Sequence, residues 1–174
     1  MPIRQIDSAL PSSGQIVDLG CGQGILAAYL ARRKERNVIG VDLDAARLPN
    51  KELANLKFIK ADITKYNLKN VDGIVISDVL HHISRVDQSE LLAKIAKGLK
   101  RGGILVIKEI DSKEFIRSKL TRLWDFILYP HDEISFSNSQ TLTRNLKRLG
   151  FNVNVQRVVT WFPGSTTLYI CTKR

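Results

Sequence analysis

Gln15-Ile16-Val17-Asp18-Leu19 runs directly into Gly20-Cys21-Gly22-Gln23-Gly24, and few architectures accommodate that order of residues. The first five read as a short strand, apolar except for one carboxylate near its end. Glycines at alternate positions then let the backbone turn tightly and lie flat against a ligand. Residues 25–34 follow as a helix, from Ile25-Leu26-Ala27-Ala28 to the basic run Arg32-Arg33-Lys34 that suits a helix C-terminus. A strand, a glycine turn and a helix N-terminus together make a site for a carboxylate or a phosphate.

Asp18 separates two ligands that use such a turn. A dinucleotide fold wants G-x-G-x-x-G and brings a pyrophosphate to the glycines. Here the spacing is G-x-G-x-G, and a carboxylate at the strand end would repel a pyrophosphate. It suits a ligand that carries an ammonium or sulfonium beside a carboxylate, which describes S-adenosylmethionine.

Val17-Asp18-Leu19-Gly20-Cys21-Gly22-Gln23-Gly24 resembles the first motif of the class I, Rossmann-like S-adenosylmethionine-dependent methyltransferases. The likeness extends over about residues 14–110 and is nearest to the broad type 11 methyltransferase-domain group, which acts mainly on small molecules and lipids. It implies that Asp18, Gly20, Cys21, Gly22 and Gly24 surround the cofactor.

Working outward, Asn37-Val38-Ile39-Gly40-Val41-Asp42-Leu43-Asp44 reads as a second strand ending in acid. Asp42 lies 18 residues beyond Gly24, near where a βαβ unit places a carboxylate to accept ribose hydroxyls, with Leu43 beside it. Asp44 is the residue for a cap. The next helix must be short or irregular, because Pro49-Asn50 interrupts it.

A third strand, Leu56-Lys57-Phe58-Ile59-Lys60, leads to Ala61-Asp62-Ile63. The resemblance implies that Asp62 accepts from the adenine amino group while Ile63 packs on the ring. Taken alone, Asp62 reads as a turn residue. A fourth strand ends at Ser77, followed by Asp78-Val79-Leu80-His81-His82-Ile83. Ligands of open α/β sheets sit off these strand ends, so this stretch falls beside the transferred group. Ser77, Asp78 and Leu80 are expected along the methionine end of the cofactor. His81 and His82 are candidate general bases, or residues that only shape the wall. Nothing here resembles the D/N-P-P-Y motif with which amino-methyltransferases hold a base, and that class is disfavoured.

Residues 84–100 have the spacing of an amphipathic helix, and Ile104-Leu105-Val106-Ile107 that of a buried fifth strand. Lys108-Glu109-Ile110-Asp111 closes it, an unusual ending for a purely structural strand. Glu109 and Asp111 are candidates for a base or a substrate contact. Residues 112–129 read as a basic amphipathic helix that would pack on the domain or lie on an anionic membrane. The resemblance puts this region around the substrate, and so Trp124 and His131 with Asp111. Residues 138–149 form a further helix, and residues 151–161 and 166–172 a closing antiparallel hairpin. Residues 1–14 are a brief lead-in with a turn at Pro11-Ser12-Ser13-Gly14.

The 174 residues, 44% hydrophobic and 25% charged, fit one domain spanning 1–174 with a sizeable core. No apolar run approaches a membrane span and no signal-peptide core is visible, which makes the cytoplasm the default compartment. Cys21 and Cys171 have no zinc-site or disulfide spacing, and no cluster of metal ligands is evident. The net charge of +10 is compatible with simple solubility, nucleic acid, an anionic membrane surface or an acidic substrate.

The expected fold is therefore α/β: a Rossmann-like seven-stranded, mostly parallel sheet in the order 3-2-1-4-5-7-6, its last strand antiparallel, with helices on both faces. The expected activity is methyl transfer from S-adenosylmethionine, leaving S-adenosylhomocysteine, to O, N or C of a small-molecule or lipid-like acceptor. Alternatives are methylation of RNA or a nucleic-acid-associated target, a non-catalytic cofactor-binding module, and an NAD-dependent oxidoreductase.

Overall fold

The computed structural model describes residues 1–44, 46, 48–49, 53–110, 139–159 and 165–174. Seven strands form one sheet: β1 (Gly14–Leu19), β2 (Arg36–Asp42), β3 (Leu56–Lys60), β4 (Val71–Ser77), β5 (Leu99–Ile110), β6 (Phe151–Val159) and β7 (Ser165–Lys173). Their spatial order is β3-β2-β1-β4-β5-β7-β6, as expected from the sequence. β3 through β5 are joined in parallel, whereas β7 runs antiparallel to both β5 and β6.

The central strands are buried on both faces, which is why they read as apolar runs rather than as polar–apolar alternations. Successive side chains point to opposite sides. Val17, Ile74, Ile76, Leu105, Ile107 and Tyr169 enter one core layer, with Leu91, Leu92 and Ile95 of α3 (Arg85–Gly98) and Leu142 and Leu146 of α4 (Ser139–Arg148). Ile16, Val75, Val106 and Leu168 enter the other, against Ile6 of α1 (Ile3–Ala9) and Leu26, Ala27 and Leu30 of α2 (Ile25–Leu30). Helices thus cover both faces.

The lead-in is more structured than the sequence reading allowed. Ile3, Ile6 and Leu10 recur at helical spacing and pack on the α2 side of the sheet. Asp7 of α1 binds Arg33 at 2.8 Å and also pairs with Arg36, whose fully buried guanidinium donates to the Pro11 carbonyl at 2.7 Å. This clasp explains a second difference. α2 stops at Leu30 rather than continuing to Lys34, and Arg32 and Arg33 close it with bonds to the carbonyls of Tyr29 and Leu30. The side chain of Arg33, with that of Arg36, serves the α1 junction. β5 likewise begins at Leu99, ahead of the Ile104 start expected from the sequence.

Among the described residues, no helix is long and apolar enough to cross a membrane. The expected basic helix at 112–129 and the hairpin tip lie outside the described residues, as do Asp111, Trp124 and His131.

Candidate active site

The glycine turn is held from the second strand. The N–H groups of Gly20 and Cys21 donate to the Val41 carbonyl at 2.8 and 3.0 Å, and the Gly22 N–H donates to Asp42 Oδ2 at 2.7 Å. Gly20 has φ +76°, and a Cβ there would meet Val79 at 2.4 Å. Only glycine permits both that conformation and that approach. Asp42 Oδ1 accepts the Asp44 N–H at 3.0 Å, and Asp44 accepts from Ala46 N at 2.9 Å, a local turn.

Above this turn, off the carboxyl ends of the strands, lies a cleft of about 330 Å³. Gly20, Gly22, Asp42, Leu43, Asp62, Ile63, Ser77, Asp78 and His82 line it, all of them singled out from the sequence. Thr64, Val79 and Ile83 line it too and were not. Asp62 is both a wall residue and a turn residue: its Oδ1 accepts from Thr64 Oγ1 at 2.7 Å and Thr64 N at 2.9 Å. The Thr64 hydroxyl, helped by its amide and by Lys65, holds the Asp62 carboxyl below the usual range against the opposing effect of burial. Lys94 of α3 fastens this loop by donating to the carbonyls of Thr64 and Tyr66. At the rim, Met1 Sδ lies 3.6 Å from Ser77 Oγ, so the chain leading into α1 reaches the cleft.

Four expected cofactor residues do not line the cleft. Gly24, with φ +71°, caps α2 and leaves room for the Phe58 ring. Cys21 is half-buried beside Gly40, and burial pushes its thiol up to about 12, so it is no nucleophile near neutral pH. Leu80 is 4% exposed in the core, and its neighbours Val79 and Ile83 take the cleft positions. Asp18 is 2% exposed, beneath the turn. Its Oδ2 has no hydrogen-bond partner among the described residues. Burial pushes its carboxyl up to about 7, opposed by the Ala27 N–H and reinforced by the charge of Asp42.

The fourth-strand corner concentrates charge. Asp78 adopts a left-handed backbone, φ +57°, uncommon for a non-glycine residue and found at functional corners. Its Oδ2 pairs with Lys108 of β5, a lysine only 7% exposed, while Oδ1 is buried without a partner among the described residues. Beyond it comes a 3-10 turn, Leu80–His82. Glu109 of β5 accepts the Leu80 N–H on Oε1 at 3.0 Å and meets His81 Nδ1 with Oε2 at 2.8 Å. His82 faces the cleft with its ring centroid 4.2 Å from that of His81. The three candidate catalytic residues therefore form one connected group, with only His82 on the cleft itself. The lysine in an apolar strand was a legible signal for this corner. Among the described residues, no group of three or more His, Cys, Asp or Glu could hold a metal ion.

A family profile described as a methyltransferase domain matches residues 3–156. The chain belongs to this family. Among its relatives is a trans-aconitate 2-methyltransferase of Deinococcus radiodurans, 33% identical over 113 residues, covering 62% of this chain and 43% of that protein. An (S)-coclaurine N-methyltransferase of Thalictrum flavum is 25% identical over 177 residues, covering 80% of this chain and 48% of that one. The chain spans about half the length of the curated relatives it matches. In fold it is similar to the crystal structure of a SAM-dependent methyltransferase from Archaeoglobus fulgidus, with a TM-score of 0.78 at 19% identity over 98% of this chain and 91% of that one.

Proposed function

We propose that this methyltransferase-family chain, acting as one domain over residues 1–174, transfers a methyl group from S-adenosylmethionine to O, N or C of a small-molecule or lipid-like acceptor. The observation that carries the reading is the set of strand-end carboxylates around the glycine turn: Asp18 buried with an unpaired oxygen, Asp42 at the Gly22 N–H, and Asp62 on the wall. Such a set matches the donors of the cofactor. Each Asp42 oxygen has a lone pair left for a ribose hydroxyl, and Asp62 Oδ2 and the Ile63 side chain suit an adenine amino group and ring face. Asp78 on the cleft wall, with an oxygen that has no partner among the described residues, suits an ammonium, with Ser77 beside it.

When bound, the cofactor supplies a methyl group already activated by a sulfonium. The chain then has to align the nucleophile and, where needed, accept its proton. His82 on the cleft wall is the residue for that proton, with His81 and Glu109 behind it. The small-molecule acceptor finds support in the names of the two relatives, trans-aconitate and coclaurine methyltransferases.

Calorimetric titration with S-adenosylmethionine, S-adenosylhomocysteine and NADH tests the cofactor. Micromolar binding of the first two and none of the third is expected; NADH binding alone would favour an oxidoreductase. A second reading, methylation of RNA, rests on the net charge of +10. It requires RNA binding that weakens steeply with salt.

A further inference from the structure

One residue of the histidine turn, Leu80, is gripped at both its N–H and its carbonyl by side chains that do not line the cleft. The Leu80 N–H donates to Glu109 Oε1 at 3.0 Å, and the Leu80 carbonyl accepts from Gln88 Nε2 at 2.7 Å. The same Nε2 donates to the Ile83 carbonyl at 2.9 Å. Leu80 and Ile83 flank His81 and His82, so both hydrogens of one carboxamide are spent on the two ends of the histidine pair. Gln88 is 5% exposed and sits in the first turn of α3, four residues beyond Ser84, whose hydroxyl caps that helix by accepting the Asp87 N–H at 3.2 Å.

Within the turn, two short-range bonds run from His82 N to the Val79 carbonyl at 3.0 Å and from Ile83 N to the Leu80 carbonyl at 3.1 Å. Bonds of this kind have poor geometry and rarely persist beyond a few residues. A buried glutamine is also uncommon, and it is retained only where its polar atoms are matched. An apolar residue would fill the same space, so the carboxamide is there for its donors.

We infer that Gln88 is a positioning residue for the histidine pair: by holding Leu80 and Ile83 it presents His82 to the cleft and brings His81 Nδ1 to Glu109. Its catalytic meaning rests on the methyl-transfer reading, but the placement does not. Facing His81 among the described residues are Glu109 from β5 and His82 from the turn itself, and Asp78 and Lys108 pair with each other at the turn's entry. A carboxylate only accepts, so Nδ1 must carry the hydrogen in the His81–Glu109 contact.

That tautomer gives a readout needing neither cofactor nor acceptor. In protein with 15N-labelled histidine, His81 is assigned by loss of its signals in His81→Gln, and its ring nitrogen shifts report which nitrogen is protonated when the ring is neutral. Wild type should show the Nδ1–H form. Gln88→Met keeps the volume and removes both donors; it should remain folded by thermal unfolding yet lose that signature, as Glu109→Leu should. Gln88→Asn, one methylene too short to span both carbonyls, should behave like Gln88→Met and is read in its place if the methionine variant does not fold. A folded Gln88→Met or Gln88→Asn that keeps the Nδ1–H form would overturn the inference and leave Gln88 as a packing residue. Because the measurement is made without cofactor, it fails or succeeds independently of the calorimetric test.

Discussion

Asp42, at the end of β2, holds the Gly22 N–H at 2.7 Å, so the residue proposed for the ribose also shapes the glycine turn. Asp42→Ala should therefore weaken S-adenosylhomocysteine binding by at least about 2 kcal/mol, roughly thirtyfold, because charged hydrogen bonds to ligand and turn are lost together. Calorimetry reads this directly, and unchanged affinity would mean the ribose lies elsewhere.

Gly20 and Gly22 should respond differently to alanine. Both have positive φ, but a Cβ on Gly20 would strike Val79 whereas one on Gly22 would meet nothing within 4 Å. Gly20→Ala is expected to lower the unfolding midpoint strongly. Gly22→Ala should lose only about 1–2 kcal/mol of stability from left-handed strain. Its methyl would stand in the cleft and reduce cofactor affinity by more than about tenfold, since close backbone approach is what a glycine provides there. Paired denaturation and binding curves separate the two effects.

Asp18 makes stability fall as the solution becomes neutral. Its folded value of about 7 stands above the ordinary 3.8, so between these values the folded protein holds a proton that the unfolded chain has released. Unfolding free energy consequently decreases as pH rises through that window and levels off above it. Asp7, Asp62 and Asp72 are held low and act in the opposite sense; their stabilisation is present above 3.8 and is lost as pH falls through their folded values. Urea midpoints for wild type and Asp18→Asn should diverge between pH 4 and 7, with only the wild type losing this contribution.

The clasp between α1 and the start of β2 should outweigh the surface pairs. Arg36 is fully buried, and Asp7→Ala would leave its guanidinium with carbonyl partners alone. Breaking a buried pair in this way costs on the order of 3–5 kcal/mol. Lys65→Ala, which removes an exposed partner 3.5 Å from Asp62, should cost about 0–1 kcal/mol. Urea unfolding of the two variants gives the comparison.

What the sequence made legible follows from the physics of each signal. Strands buried on both faces announce themselves as apolar runs, so Ile74-Val75-Ile76 and Leu105-Val106-Ile107 could be placed without knowing their neighbours. The strand-end carboxylates stood out because each interrupts such a run. α1 was missed because its short apolar face, Ile3, Ile6 and Leu10, depends on Asp7 meeting two arginines more than twenty residues away. Leu80 was assigned to the cleft because adjacency to Ser77 in sequence does not say which way a 3-10 turn points; Gln88 and Glu109 set that direction from other elements. Thr64 was overlooked although Asp62 and Thr64, two apart, are the ordinary makings of a side-chain-capped turn.

The sheet order has a consequence for how the chain is made. β7 follows β6 along the chain yet lies between β5 and β6, so among the described strands β6 pairs with β7 alone. As the polypeptide emerges, the first five strands can pair in turn, but β6 must wait with Phe151 and α4 for a partner not yet synthesised. The core layer beneath α3 and α4 closes only when Tyr169 and Cys171 arrive against Leu105 and Ile107. The folding of this protein is thus completed from its late end, and loss of residues 165–174 would strand β6 and open the face on which α3 and α4 rest.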